Sequence, residues 1–94
     1  MAELKDIRDQ LDVLDNEFIK MFLKRMSLSE EVARIKIRDG IPVLNAVREQ
    51  EIITRLTEGM DDETAGYVKE LYLKIFELSR QRQKILMEEN KKSD

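Results

Sequence analysis

The sequence predicts an all-α fold of three helices, one long, one short and one medium-long, assembled as a homodimeric helical bundle. Three observations carry that expectation. Apolar residues recur at alternating steps of three and four through the first 38 positions and again in the last third of the chain. The turn-forming residues Gly40, Pro42 and Gly59 fall between these stretches. Apolar residues make up 41% and charged residues 39%, the profile of a helical protein rich in surface ion pairs, not of a β protein or a disordered chain.

Helix one is expected over about residues 3–38. Its seam runs Leu4, Ile7, Leu11, Leu14, Phe18, Met21, Arg25, Leu28, Val32, Ile35. Gly40 ends it, and Pro42 disfavours helical geometry at Ile41. Asn45 is placed to cap helix two, about residues 46–58, which Gly59 ends. Asp61 or Asp62 can cap helix three, about residues 63–89, with the seam Val68, Leu71, Ile75, Leu78, Arg82, Ile85. The polar tail 90–94 is expected to fray. The 94 residues are read as one domain.

The length of helix one implies a partner. Thirty-six residues at 1.5 Å per residue span about 54 Å, whereas a compact chain of this size is roughly 30 Å across. The helix therefore outruns anything its own chain can cover, yet its apolar seam continues to both ends. A second copy packing its own long helix alongside would cover it.

Absences narrow the chemistry. Without His or Cys there is no Ser–His or Cys–His nucleophile pair, no thiolate and none of the usual zinc ligand sets. No Gly-rich phosphate loop is present. No apolar run approaches the roughly 18 residues of a membrane span, and the N-terminus lacks a signal-peptide core. The lack of Cys suits the cytoplasm, and a net charge of −3 argues against general nucleic-acid binding. An enzyme made from what remains would rely on positioning and electrostatics more than on covalent chemistry.

Against that background the polar residues on apolar faces are the candidates. Arg25 interrupts the seam of helix one, so its desolvated guanidinium needs either a carboxylate of its own chain or a bound anion. Lys36 lies eleven residues on, on nearly the same face and about 16 Å along the axis. Alone it reads equally as a snorkelling lysine. Arg8 is about 25 Å from Arg25 on one helix. It is a surface arginine unless an antiparallel partner brings it to the other subunit's site. Arg48 and Glu49 open helix two, where such a couple is ordinarily solvated and suited to the helix dipole. On helix three a second face, Tyr72, Phe76, Ser79, Gln83, Leu86, is interrupted by Ser79 and Gln83. Their plain readings are a back-bonded serine and a packing amide.

The ordered set of Ile-Arg8-Asp-Gln-Leu-Asp-Val-Leu-Asp15, Lys24-Arg25, Val-Ala-Arg-Ile-Lys36, Gly40-Ile-Pro42-Val, Arg48-Glu49 and Ser79 with Gln83 resembles the all-α chorismate mutases, from about Leu4 to Leu86. The resemblance implies an intertwined homodimer with two sites, each completed by the partner chain, acting on a dianionic small molecule. It implies that Arg25 and Arg8 of the partner subunit hold the two substrate carboxylates, with Ser79 assisting. Lys36 and Gln83 would donate to the ether oxygen. Glu49 and a group at Asn45 would hold the ring hydroxyl, and Arg48 would act through water or as an orienting charge. Such domains also occur fused to, or associated with, other shikimate-pathway enzymes.

Asn45 departs from the acidic residue the family often carries there. Arg80 and Arg82 stand in a usually more apolar segment and are expected to be peripheral. A Claisen rearrangement needs no nucleophile, metal or cofactor, which fits the missing His and Cys. A glutamine donor at position 83 implies a broad pH optimum around neutrality. Three alternatives stay open: an isochorismate pyruvate lyase of the same fold, a non-catalytic chorismate- or prephenate-binding regulatory domain, and a plain dimerisation module in which Arg25 pairs with a carboxylate.

Overall fold

The computed structural model describes residues 3–92 and contains three α-helices in order: α1 Leu4–Asp39, α2 Ala46–Thr57 and α3 Asp62–Lys92. Among the described residues there is no strand, and no helix is long and apolar enough to cross a membrane. The boundaries follow from capping chemistry. Asp6 accepts from the Glu3 backbone N–H at 3.1 Å and opens α1. Gly40 closes it in the left-handed conformation (φ 69°), while the Ile41 N–H bonds back to the Lys36 carbonyl at 2.8 Å. The Asn45 side chain accepts from the Arg48 N–H at 3.0 Å. Gly59 turns the chain with φ 78°. Of the two candidate caps for α3, Asp61 takes the role, accepting from the Thr64 N–H at 2.7 Å.

Helix α3 runs three residues beyond its expected end, to Lys92, so the fraying expected from residue 90 is not seen as far as Lys92; residues 93 and 94 lie outside the described part. Lys91 and Lys92 place positive charge where the helix dipole favours it.

Packing is built around α3. It contacts both α1 and α2, which do not pack on each other. Ile52 and Ile53 of α2 close on Phe76 of α3, with Leu56 and Tyr72 packed around them. On α1, burial starts only at Phe22 and follows one face: Phe22, Arg25, Met26, Ser29, Glu30, Ala33, Lys36, Ile37. Every described residue of α1 before Met21 is exposed. The molecule is accordingly elongated, 62 × 28 × 14 Å with a radius of gyration of 17.3 Å, against about 12 Å for a compact chain of this length.

Two expectations about faces are refined. The heptad seam of α1 is not buried within the chain: Leu11, Leu14, Phe18, Leu28, Val32 and Ile35 are all exposed. Arg25 stands at the boundary, three residues after Phe22 and four before Ser29, and turns toward α3. A 3.5-residue seam drifts across a 3.6-residue helix, so one residue can belong to both faces. On α3 the polar-interrupted face is the better buried one. Phe76, Ser79 and Gln83 are buried, while Leu71 and Ile85 of the expected seam are exposed.

Candidate functional site

Between the C-terminal half of α1, the start of α2 and the middle of α3 lies a cavity of about 330 Å³, the size of a small-molecule site. Its polar lining comes from Arg25, Ser29 and Lys36 of α1, from Asn45, Arg48 and Glu49 around the start of α2, and from Ser79, Arg80 and Gln83 of α3. Helical spacing explains the convergence. Arg25, Ser29 and Lys36 are separated by one and about two turns, and Phe76, Ser79 and Gln83 by three and four residues, so each set shares a face. Val32, Ile52 and Phe76 supply the apolar wall.

Arg25 is half-buried, with its guanidinium carbon 5.6 Å from the ring centres of both Tyr72 and Phe76. Its Nη1 is 3.5 Å from the Ser79 hydroxyl. Among the described residues no carboxylate forms an ion pair with it. The two aromatic faces compensate part of the lost hydration through cation–π attraction, and an anion in the cavity would supply the rest. The reading in which Arg25 merely pairs with a carboxylate of its own chain has no such carboxylate here.

Lys36 is anchored by two acceptors. Its ammonium donates to the Val43 carbonyl at 2.7 Å and to Gln83 Oε1 at 3.2 Å. An ammonium has three N–H groups, so one is left over at the cavity wall. Burial pushes the Lys36 pKa below its ordinary value, and the negative charge of Glu49 opposes that shift. Gln83 is buried, with Nε2 donating to the Ser29 hydroxyl at 2.8 Å. Since Nε2 carries two hydrogens, one remains here too.

Glu49 is half-buried, and both its oxygens accept from Arg80 Nη1, at 2.6 and 2.5 Å. Arg48 lies at the exposed rim, 3.7 Å from Glu51. Asn45 is exposed at the cavity edge with its carboxamide oxygen committed to capping α2. Arg8 is exposed on the uncovered part of α1 and is not among the residues lining the cavity.

Seven of the eight expected residues therefore converge on one cavity, and Arg8 does not. Two polar residues of the lining had no expected role in the site. Ser29 carried a readable signal, a hydroxyl four residues after Arg25 and seven before Lys36. Arg80 is a correction: expected to be peripheral, it lines the cavity and holds Glu49, because its position one residue after Ser79 turns it toward the start of α2. Arg82, by contrast, pairs with Glu30 of α1 at 2.8 Å, away from the cavity lining.

The chain matches the family model for chorismate mutase type II over residues 7–84. It is 35% identical to a chorismate mutase from Methanocaldococcus jannaschii in an alignment of 95 positions, which covers 97% of this chain and 83% of that protein. It is also 35% identical over 71 residues to the T-protein of Haemophilus influenzae, covering 76% of this chain but 18% of the T-protein. A bifunctional chorismate mutase/prephenate dehydratase from Aquifex aeolicus is 30% identical over 56 residues, which is 16% of its length. The chain thus spans under a fifth of the T-protein and of the bifunctional relative, and most of the M. jannaschii protein. No solved structure gives a significant match.

Proposed function

Because the chain belongs to the chorismate mutase type II family, we propose that it acts as a single domain that rearranges chorismate to prephenate. Arg25, with Ser79, binds one carboxylate of the substrate. In an intertwined homodimer, Arg8 of the partner subunit binds the other. Clamping both ends folds the enolpyruvyl arm over the ring and converts the search for a reactive geometry into a bound state.

The carbon–oxygen bond breaks ahead of carbon–carbon bond formation, so negative charge grows on the ether oxygen. The spare N–H of Lys36 and the spare N–H of Gln83 both donate to that atom. Their protein partners hold them before the substrate arrives, so little reorganisation is needed in the transition state. Loss of one such donor typically costs about 3 kcal/mol. Glu49 and Asn45 hold the ring hydroxyl, and Arg48 contributes an orienting charge at the rim. All bonds form and break within one molecule, so no proton, nucleophile, metal or cofactor enters. A chain without cysteine suits the cytoplasm as the place of this chemistry.

The uncovered seam of α1 supports the dimer. Leu11, Leu14, Phe18 and Leu28 are each about half exposed in the single chain, and covering the remaining half stabilises by about 1 kcal/mol apiece, half the gain of full burial. The observation that carries the catalytic reading is Arg25, half-buried on the cavity wall with no ion-pair partner among the described residues, beside two donors with an N–H to spare. Incubating the purified protein separately with chorismate and with isochorismate tests it. Prephenate from chorismate is expected. Salicylate and pyruvate from isochorismate alone, or binding of chorismate without turnover, would contradict it.

A further inference from the structure

We propose that Arg80 is a positioning residue for Glu49, holding that carboxylate in the cavity wall and so setting the grip on the substrate's ring hydroxyl. The inference rests on the mutase reading and on the role given to Glu49 within it.

The topology gives such a device work to do. Helices α1 and α2 do not pack on each other, so beyond their connecting loop, which Lys36 grips at the Val43 carbonyl, Glu49 is located relative to Arg25 and Lys36 through α3. The α2–α3 contact is otherwise apolar, made by Ile52, Ile53 and Leu56 with Tyr72 and Phe76. Apolar packing is non-directional, so it sets how closely the helices approach but not the rotamer of a carboxylate at their rim. Among the described residues, Arg80–Glu49 is the only ion pair between α2 and α3. One nitrogen reaches both carboxylate oxygens, and both side chains are largely covered, 29% and 21% exposed.

Arg48 is not an alternative holder. Neighbouring residues on a helix point about 100° apart, and Arg48 is engaged instead with Glu51 in a pair about 60% exposed. Electrostatics gives the pair a second consequence. Glu49 already acts on the Lys36 ammonium through its charge. A carboxylate free to swing onto Lys36 would occupy the N–H that the ether oxygen needs. Arg80 draws Glu49 to the α3 side and leaves Lys36 open. Each carboxylate oxygen has more than one lone-pair site, so Glu49 can accept from the ring hydroxyl while held by Arg80.

The test is a double-mutant cycle on the full chain, with wild type, Arg80→Met, Glu49→Gln and the pair assayed on chorismate after circular dichroism has verified folding. Arg80→Met is expected to raise KM about tenfold with kcat changed far less, a coupling within the range for directly paired groups. In the Glu49→Gln background the same change is expected to have no further effect, and Arg80→Lys is expected to recover most of the loss. An undiminished loss in the Glu49→Gln background would overturn the proposal by making Arg80 a direct substrate contact. So would an unchanged KM in Arg80→Met. Wild type without turnover would instead defeat the mutase reading itself. A normal KM in Glu49→Gln beside an active wild type would remove Glu49's role and the proposal with it.

Discussion

The buried amide of Gln83 on α3 donates to the buried hydroxyl of Ser29 on α1 at 2.8 Å, while its carbonyl accepts from Lys36 at 3.2 Å. Two of the three groups on Gln83 that can form hydrogen bonds are thereby fixed, and the direction of the third, the remaining N–H, is set by default. A side chain with several rotatable bonds becomes a preorganised donor because a serine one turn from Arg25 gives it somewhere to rest.

Ser29→Ala removes that rest. The lost hydrogen bond is worth about 1 kcal/mol, so kcat is expected to fall about fivefold with KM little changed. The melting temperature is expected to drop by about 4–8 °C. Steady-state kinetics and a thermal melt check both numbers, and Ser29→Thr, which keeps the hydroxyl, should recover most of the rate. A full rate in Ser29→Ala would mean that Gln83 orients itself.

An amide donates at any pH, whereas a carboxyl donates only when protonated. Wild-type turnover should therefore be nearly flat through neutrality, and Gln83→Glu should confine activity to the acid side. The comparison of pH–rate profiles decides it. A sharp wild-type loss between about pH 6 and 8, with the fold and the proposed dimer intact, would contradict the assignment of Gln83 as donor.

Lys36 sets the alkaline limit. Burial lowers its pKa in the folded chain, so the midpoint of its deprotonation, and with it of the fall in kcat/KM, is expected below the ordinary lysine value of about 10.4. Stability runs the other way. Between the lowered folded pKa and the unfolded one the unfolded chain binds more protons, so folding becomes more favourable as pH rises across that window. Bound dianion should favour the ammonium form, which places the alkaline limb of kcat above that of kcat/KM. Profiles of both parameters, with urea melts at matched pH, test the pair of trends. A kcat/KM still flat above about pH 11, past the ordinary lysine value, would show that Lys36 does not carry the charge.

Much of the architecture is legible in the sequence. The alternating spacing from Leu4 to Ile35 gave α1 its length, and the length is what motivates the proposed partner. The eleven-residue interval from Arg25 to Lys36 put two cations on one face. What periodicity could not resolve was which of two adjoining faces turns inward. Arg25 belongs to the drifting boundary between them, and only the docking of α3 decides. Ser29 was legible in principle, since it shares the spacing of its neighbours, but a serine in a helix has a plainer explanation in bonding to its own turn. Arg80 was not legible. Its partner Glu49 is 31 residues away on another helix, and no local pattern records a pairing that arises from the angle at which α2 meets α3.

Arg8 carries the central claim, because the structure leaves it exposed and far along α1 from Arg25 while the mutase reading requires it at a site. The most direct measurement unfolds and refolds Arg8→Ala and Lys36→Ala together. Each variant alone should be almost inactive. In a heterodimer with shared sites, one site collects both defects and the other neither. Random pairing makes half the dimers mixed, so activity should return to about a quarter of wild type. Heterodimers verified by mass spectrometry that stay inactive would contradict a site completed across the dimer.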